Sequence, residues 1–339
     1  MSPESILAPL RWRQHKPVES EAVVQIPPEM VDAILEEYSA NGRVCQNTVQ
    51  VERLVNQWKP RLKASPGFVY LRIPDAYFTD DDLRTVYAVM SKSLGRLNQR
   101  YGEFFDVKDH GLDHTKSAIP VSKTRACSGF HTDSSSVDYC PEVVGLLCLQ
   151  PGFRGGESLL ANAADLYCWL WKNHRARLPS LEMPIKRDVI TPGTVQNSSE
   201  IARNAFPIIN LKDCKFQFRY MRYWISQAYQ KLEIELPQGL EKSMDLVDQF
   251  FHDPRNVFSM KLSRGEILFV NNHHLCHSRT AFLDAPDGVR KRTLVRTWID
   301  SLRTDIIRDA GMASSPFLSH DDGCAEQSER AATSEGIQI

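Results

Sequence analysis

Apolar residues recur at helical spacing through much of the first hundred positions and at strand spacing afterwards, so the chain changes texture at roughly residue 120. Pro27 and Pro28 open the segment EMVDAILEEYSANG, where Met30, Ile34 and Tyr38 fall on one helical face and Gly42 supplies a stop. A second helix is predicted through VQVERLVNQWKPRL. After Ser65, Pro66 and Gly67 the run FVYLRI alternates as a strand does. Thr79 followed by Asp80, Asp81 and Asp82 has the form of an N-cap and acidic first turn for a helix through LRTVYAVMSKSLGRLNQRYG.

Beyond that point short apolar runs alternate with turn residues. EVVGLLCLQ ends at Pro151-Gly152, ESLLAN follows Gly155-Gly156, and KRDVIT ends at Pro192-Gly193. KFQFRYMRYWI carries alternating Phe216, Phe218 and Tyr220, and NVFSMKL, EILFV and RTLVRTWI complete the series of predicted strands. Two helical segments interrupt it, ADLYCWLWKNHRARL and LEKSMDLVDQFFHD. Many short strands with few helices predict a double-sheet β barrel or jelly roll, mainly β with α, and not an alternating βαβ fold. We read one domain over residues 1–311, with a helical part over about 1–110 and a jelly-roll core over about 120–302. The Ser-, Ala- and acid-rich end, 312–339, has almost no large apolar residues and is expected to be a disordered tail.

Composition narrows the partners. The 339 residues hold 41 basic and 42 acidic side chains, a formal net charge of -1, which gives no electrostatic reason to expect nucleic acid or an anionic membrane. No apolar run is long enough to span a bilayer, and the start lacks the apolar stretch of a signal peptide, so the expected compartment is the cytoplasm and the expected partner a small molecule. Eight cysteines at 45, 127, 140, 148, 168, 214, 276 and 324 form no CxxC pair, which fits reduced, packed thiols better than a zinc ribbon or a disulfide framework.

The chemistry-bearing residues gather in three stretches. In GFHTDSSS, His131 and Asp133 are two apart; on a strand both point to one face about 7 Å apart, so an imidazole and a carboxylate can converge on one ion. With 10 histidines about one such pair is expected by chance, and the second copy, His320 and Asp322 in the tail, is read as that. NNHHLCHSRTAF offers His273, His274 and His277 as a third ligand, a self-contained zinc site, or residues that merely pack. Two imidazoles and one carboxylate form the facial triad of non-haem Fe(II) oxygenases, whose open positions admit an oxidant and a cosubstrate. In RKRTLVRTWID a strand puts Arg292, Leu294, Arg296 and Trp298 on one face, with the two arginines about 13 Å apart. They are either solvated on an edge strand or turned inward toward anions, where Arg suits bidentate carboxylate recognition.

Taken together, GFHTDSSS, GGESLLAN, GEILFVNNHHLCHSRTAF and RKRTLVRTW resemble the taurine dioxygenase/clavaminate synthase-like branch of the Fe(II)- and 2-oxoglutarate-dependent oxygenases, over roughly residues 66–300. The resemblance implies a distorted double-stranded β-helix, cupin-like, with an N-terminal helical extension and flanking helices. It implies Fe(II), 2-oxoglutarate and O2 as cofactors. Residue by residue it makes His131 and Asp133 the proximal iron ligands and His277, followed by Arg279 and Phe282, the distal one; His273 and His274 become loop or packing residues. Arg292 falls where the family binds the distal carboxylate of 2-oxoglutarate, and Ser158 where a threonine commonly hydrogen-bonds it. Arg296 matches an arginine that in some relatives reaches an anionic substrate group and in others supports the cosubstrate arginine.

The implied reaction is oxidation of an unactivated C–H bond, by hydroxylation, desaturation or epoxidation, in a small polar, amino-acid-derived metabolite of a biosynthetic pathway, with release of succinate and CO2. A carboxylate at Asp133 argues against halogenation, because related halogenases carry a small residue there. For the substrate, Arg125 and Cys127 are candidates if they share the strand face of His131; the alternative is that Arg125 precedes the strand and is solvated. Tyr220, with Arg219, Arg222 and Tyr223, either reaches the cavity or covers it. The segment ending NSSEIARNAF is a lid or a passive loop over 193–206. Two rival classes are a metal-free jelly-roll binding module and a zinc hydrolase on a β barrel, which would want a further carboxylate base.

Overall fold

A computed structural model describes residues 2–12, 17–41, 49–73, 78–100, 102–109, 111, 124–188, 198–286 and 289–303. The expected tail and its His320-x-Asp322 pair lie outside them, as does 193–197 of the candidate lid. The rest of that segment holds a short helix, Ser198–Arg203, and a strand, Ala205–Phe206.

Two sheets carry the fold. In the larger, seven-stranded sheet the order is Val23–Gln25, Phe68–Arg72, Glu266–Asn271, Val143–Gln150, Thr293–Leu302 and Gly95–Leu97, with Phe105–Lys108 also paired to Thr293–Leu302. The smaller runs Val257–Met260, Ser158–Asn162, Leu275–Arg279 and Ser128–His131. Neighbours in each sheet are distant in sequence, and from Val257–Met260 onward the chain passes from the small sheet to the large one and back through Glu266–Asn271, Leu275–Arg279 and Thr293–Leu302, which is the jelly-roll, double-stranded β-helix arrangement expected from the strand pattern.

Alternation along each strand decides what it packs against. Phe68, Tyr70, Cys148, Leu268, Val270 and Leu294 point from the large sheet toward Leu160, Phe258, Met260 and Leu275 of the small one. Their neighbours Val69, Leu71, Leu147, Ile267, Phe269, Val295 and Ile299 point the other way, beneath Leu54, Trp58, Val86, Tyr87 and Met90 of the N-terminal helices. FVYLRI is therefore buried on both faces: its alternation separates two apolar layers, not core from solvent. Trp58 stacks on Phe269 at 5.7 Å between centroids, joining helix to sheet.

Helix boundaries follow local chemistry. The predicted second helix divides into Val49–Trp58 and Pro60–Lys63. Asp80–Leu94 starts at a full capping box, in which Thr79 and Asp82 exchange side-chain bonds to each other's backbone N–H. That helix stops earlier than the sequence pattern suggests, because Gly95–Leu97 joins the sheet beside Thr293–Leu302; a Cβ at Gly95 would collide with the Ser301 carbonyl. The strand expected through Ile225 also ends early, at Phe218. Trp224, Ile225, Ala228 and Tyr229 are buried at helical spacing in Arg222–Lys231, so the apolar period switches within the segment. With Ala163–Asn173 and Leu240–His252, this helix covers the outer face of the small sheet, against Phe130, Ala161 and Cys276. Among the described residues no helix is long and apolar enough to cross a membrane.

Candidate functional site

The strand Ser128–His131 pairs with Leu275–Arg279 so that His131 lies opposite His277, their rings 4.4 Å apart. Asp133 lies just past the end of that strand, so its position depends on the turn and not on strand periodicity. Thr132 anchors the turn: its N–H donates to the Tyr220 carbonyl at 2.9 Å, and its hydroxyl accepts the Tyr220 N–H at 3.0 Å. The next residue after Asp133, Ser134, takes φ 72°, a left-handed conformation that bends the chain away. Asp133 Oδ1 is thereby held 3.6 Å from His131 Nε2 and 3.4 Å from His277 Nε2. The three donor atoms lie within 4.8 Å of one another, the spacing of groups able to converge on one cation.

Electrostatics suit that use. His131 Nδ1 lies 2.8 Å from the Gly129 carbonyl and donates to it, which leaves the Nε2 lone pair facing the cluster. Burial, followed by the nearby His277, lowers the His131 pKa to about 4, so its ring is neutral near pH 7. Burial alone would raise the Asp133 pKa; Arg296, His277 and His131 outweigh it and keep the carboxyl well below the usual range.

Asp133 is gripped at both ends. Its other oxygen, Oδ2, accepts the Trp298 indole N–H at 2.5 Å and faces Arg296 Nη1 at 3.3 Å. Its backbone is clamped by Asn272, fully buried in the turn that leads to the His277 strand: Oδ1 of the amide accepts the Asp133 N–H at 2.7 Å, and Nδ2 donates to the Asp133 carbonyl at 3.0 Å and the Pro141 carbonyl at 3.1 Å. One amide thus ties the turn before the His277 strand to Asp133. Asn272→Ala is expected to destabilise the metal-free protein by about 1–3 kcal/mol for each buried group left unpaired, which urea unfolding measures. It is also expected to weaken Fe(II) binding about 10- to 100-fold in an anaerobic titration.

Arg292 immediately precedes the strand Thr293–Leu302 and is buried at 3% exposure. Its N–H donates to Asp284, its Nη2 reaches the Gly156 carbonyl at 3.4 Å, and its Nη1 is buried without a partner. Gly156, at φ 80°, makes the space: a Cβ there would lie 2.8 Å from Arg292 Nε. Ser158, two residues on, is buried and pairs across the small sheet with Arg279 and Met260. On the strand itself Leu294, Arg296 and Trp298 alternate with Val295 and Ile299 of the helix-covered core, so Arg296 and Trp298 face the barrel interior.

The other sequence candidates differ in their surroundings. The strand begins at Ser128, and Arg125 and Cys127 lie exposed before it, which is the solvated alternative for Arg125. Tyr220 is buried in the outer core with its hydroxyl donating to Asp248 at 2.8 Å; its backbone, not its ring, serves the site. His273 and His274 sit in the turn before the His277 strand, outside the three-residue cluster; His274 is packed against Gly67. Asn272 and Trp298 went unassigned in the sequence, although both stand inside the motifs that carry His277 and Arg296.

A family model described as taurine catabolism dioxygenase TauD, TfdA family matches residues 43–298. The chain belongs to this family. Membership makes it a non-haem iron dioxygenase that uses 2-oxoglutarate and O2, and the residues present fit those groups: two imidazoles and a carboxylate for the metal, and a buried guanidinium with an unpartnered Nη1 for a dicarboxylate. FR-33289 synthase from Streptomyces rubellomurinus is 24% identical over 270 residues, covering 73% of each chain. The crystal structure of asparagine oxygenase superposes with TM-score 0.64 at 16% identity, over 83% of this chain and 93% of that one. The non-haem iron oxygenase OrfP in complex with Fe, succinate and (3S)-hydroxy-L-Arg gives 0.56 at 13% identity, over 82% and 94%. At these identities the two structures speak to the fold.

Proposed function

We propose that His131, Asp133 and His277 hold Fe(II), that Arg292 with Ser158 anchors the far carboxylate of 2-oxoglutarate, and that the enzyme oxidises a C–H bond of a small polar, amino-acid-derived metabolite. The observation that carries this reading is the convergence of the three donor atoms within 4.8 Å from the end of one strand and the middle of its partner. The substrate class draws support from two fold neighbours, one named asparagine oxygenase and one solved with hydroxylated arginine. An interior arginine beside the donors, Arg296, also favours a substrate bearing an anionic group.

Fe(II) with 2-oxoglutarate and O2 supplies an oxidant strong enough to take hydrogen from an unactivated carbon, while the cosubstrate leaves as succinate and CO2. The chain's contribution is placement. His131 offers a neutral imidazole, its tautomer set by the Gly129 carbonyl. Asp133, ionised at all ordinary pH, supplies one negative charge to a divalent ion and stays ionised because Arg296 and the histidines outweigh its burial. Arg292 waits, desolvated, for the carboxylate that completes its pairing, so the cosubstrate is oriented by a fixed charge. Such placement matters because an error of about 1 Å at the reacting carbon can cost roughly 100-fold in rate.

Anaerobic addition of Fe(II) and 2-oxoglutarate to the purified protein is expected to produce a weak visible charge-transfer band, and O2 then to release succinate. A protein that binds Fe(II) without that band, or releases no succinate, would overturn the reading. A screen of amino acids and their derivatives for stimulated 2-oxoglutarate consumption tests the substrate class; stimulation by none of them, but by an apolar compound, would sink it.

A further inference from the structure

On the reading of His131, Asp133 and His277 as one metal site, we propose that Trp298 is a positioning residue that fixes Asp133 as a one-oxygen ligand. The two carboxylate oxygens have unlike surroundings. Oδ1 faces the histidine nitrogens at 3.6 and 3.4 Å, while Oδ2 accepts the indole N–H at 2.5 Å. The terminal torsion of an aspartate is soft and nearly two-fold, so a carboxylate held only at its backbone can turn and offer both oxygens to a cation. Both oxygens on one ion would take a position that a chelating cosubstrate and a gas molecule need, since three protein donors leave three sites open.

Of the two groups on Oδ2, the indole is the better fixed. Arg296 Nη1 stands farther off at 3.3 Å, on a flexible side chain whose guanidinium also lies over the Phe105 and Trp298 rings. Trp298 is rooted in the middle of the Thr293–Leu302 strand, opposite Val144, and packs against Tyr139 at 5.9 Å. Tyr139 is held in turn: Arg219, buried, donates to its carbonyl at 3.1 Å, and Arg100 lies over its ring at 4.9 Å. An indole N–H is only a donor and does not titrate, so it restrains an ionised carboxylate equally at every working pH, through a charge-assisted hydrogen bond. With Oδ2 kept by the indole, Arg296 can turn to an anionic substrate group without releasing Asp133.

Co(II) in place of Fe(II) reports this directly, through its visible absorption and through titration, without turnover. Trp298→Phe keeps the ring packing and removes the donor. It is expected to weaken Co(II) binding about 10- to 100-fold, the cost typical of losing an outer-shell partner of a ligand. It is also expected to shift the Co(II) visible spectrum and to blunt the spectral response to added 2-oxoglutarate. If Trp298→Phe matches wild type in affinity and spectrum, the inference falls while the site reading stands; if wild type itself fails to bind Co(II) one to one, both fall. Should Trp298→Phe not fold, the indole 15N–1H signals of wild-type protein carry the test. A strongly downfield, slowly exchanging signal that moves on Zn(II) addition supports the bond to Asp133, and its absence overturns it.

Discussion

Asp133→Ala and His277→Ala are each expected to cut O2-dependent succinate release by more than about 100-fold, beyond what the loss of a mere outer-shell partner costs. The reason is local. Asp133 is the single carboxylate of the cluster, and its Oδ1 stands within 3.6 Å of both histidine nitrogens. Its removal takes away the negative charge facing the metal and leaves Arg296 without the carboxylate it now faces at 3.3 Å, so the interior turns net positive where a cation must bind. His274→Ala supplies the contrast. That ring is buried at 3% exposure, its Nε2 lacks a partner, and it packs against Gly67 outside the cluster. Its loss is expected to lower the melting temperature by opening a cavity, while the folded fraction turns over near the wild-type rate. Succinate release normalised to folded protein measures all three. The reverse ranking, with His277→Ala active and His274→Ala dead, would reassign the distal ligand.

How far these roles were legible in the sequence depends on the scale of the signal. His131 stands out by its spacing to Asp133, whereas spacing leaves His273, His274 and His277 open and the family resemblance singles out His277; strand pairing sets it opposite His131. The two-residue spacing to Asp133 suggested a shared strand face, yet the strand ends at His131 and a turn delivers the carboxylate. Local alternation cannot distinguish these, since the turn is held by Tyr220, from a segment almost ninety residues on, through bonds 2.9 and 3.0 Å long. Asn272 and Trp298 escaped for the same reason: an amide or an indole gains its role only when another part of the chain presents an aspartate to it. The fold class needed less, because the rhythm of short strands and turns survives errors at their ends. Those errors had causes too. The helix after Asp80 yields to a strand at Gly95 because Thr293–Leu302 offers a free edge there, and the Phe216–Tyr220 alternation runs on into a helix whose face is set by burial against the small sheet.

Arg292→Met separates anchoring from scaffolding by giving effects of opposite sign. In the free protein the Arg292 guanidinium is buried, its Nη1 lacks a partner, and burial pushes its pKa down from the ordinary arginine value. An unpaired buried charge opposes folding, so a methionine of similar length is expected to leave the melting temperature of the metal-free protein unchanged or raise it. Cosubstrate affinity moves the other way. Removing one partner of a buried charged pair costs about 2–5 kcal/mol, so the 2-oxoglutarate requirement is expected to rise about 30- to several-thousand-fold. Ligand-induced stabilisation should shrink with it: at 100 times its dissociation constant a ligand adds about 2.7 kcal/mol to the wild-type fold, and the variant at the same concentration gains about 0.9 kcal/mol or less. Thermal melts with and without 2-oxoglutarate, in the presence of Mn(II) to block turnover, read both signs in one series. A variant that melts lower than wild type yet keeps its full response to 2-oxoglutarate would make Arg292 a structural residue and move the anchor to another cation of the barrel.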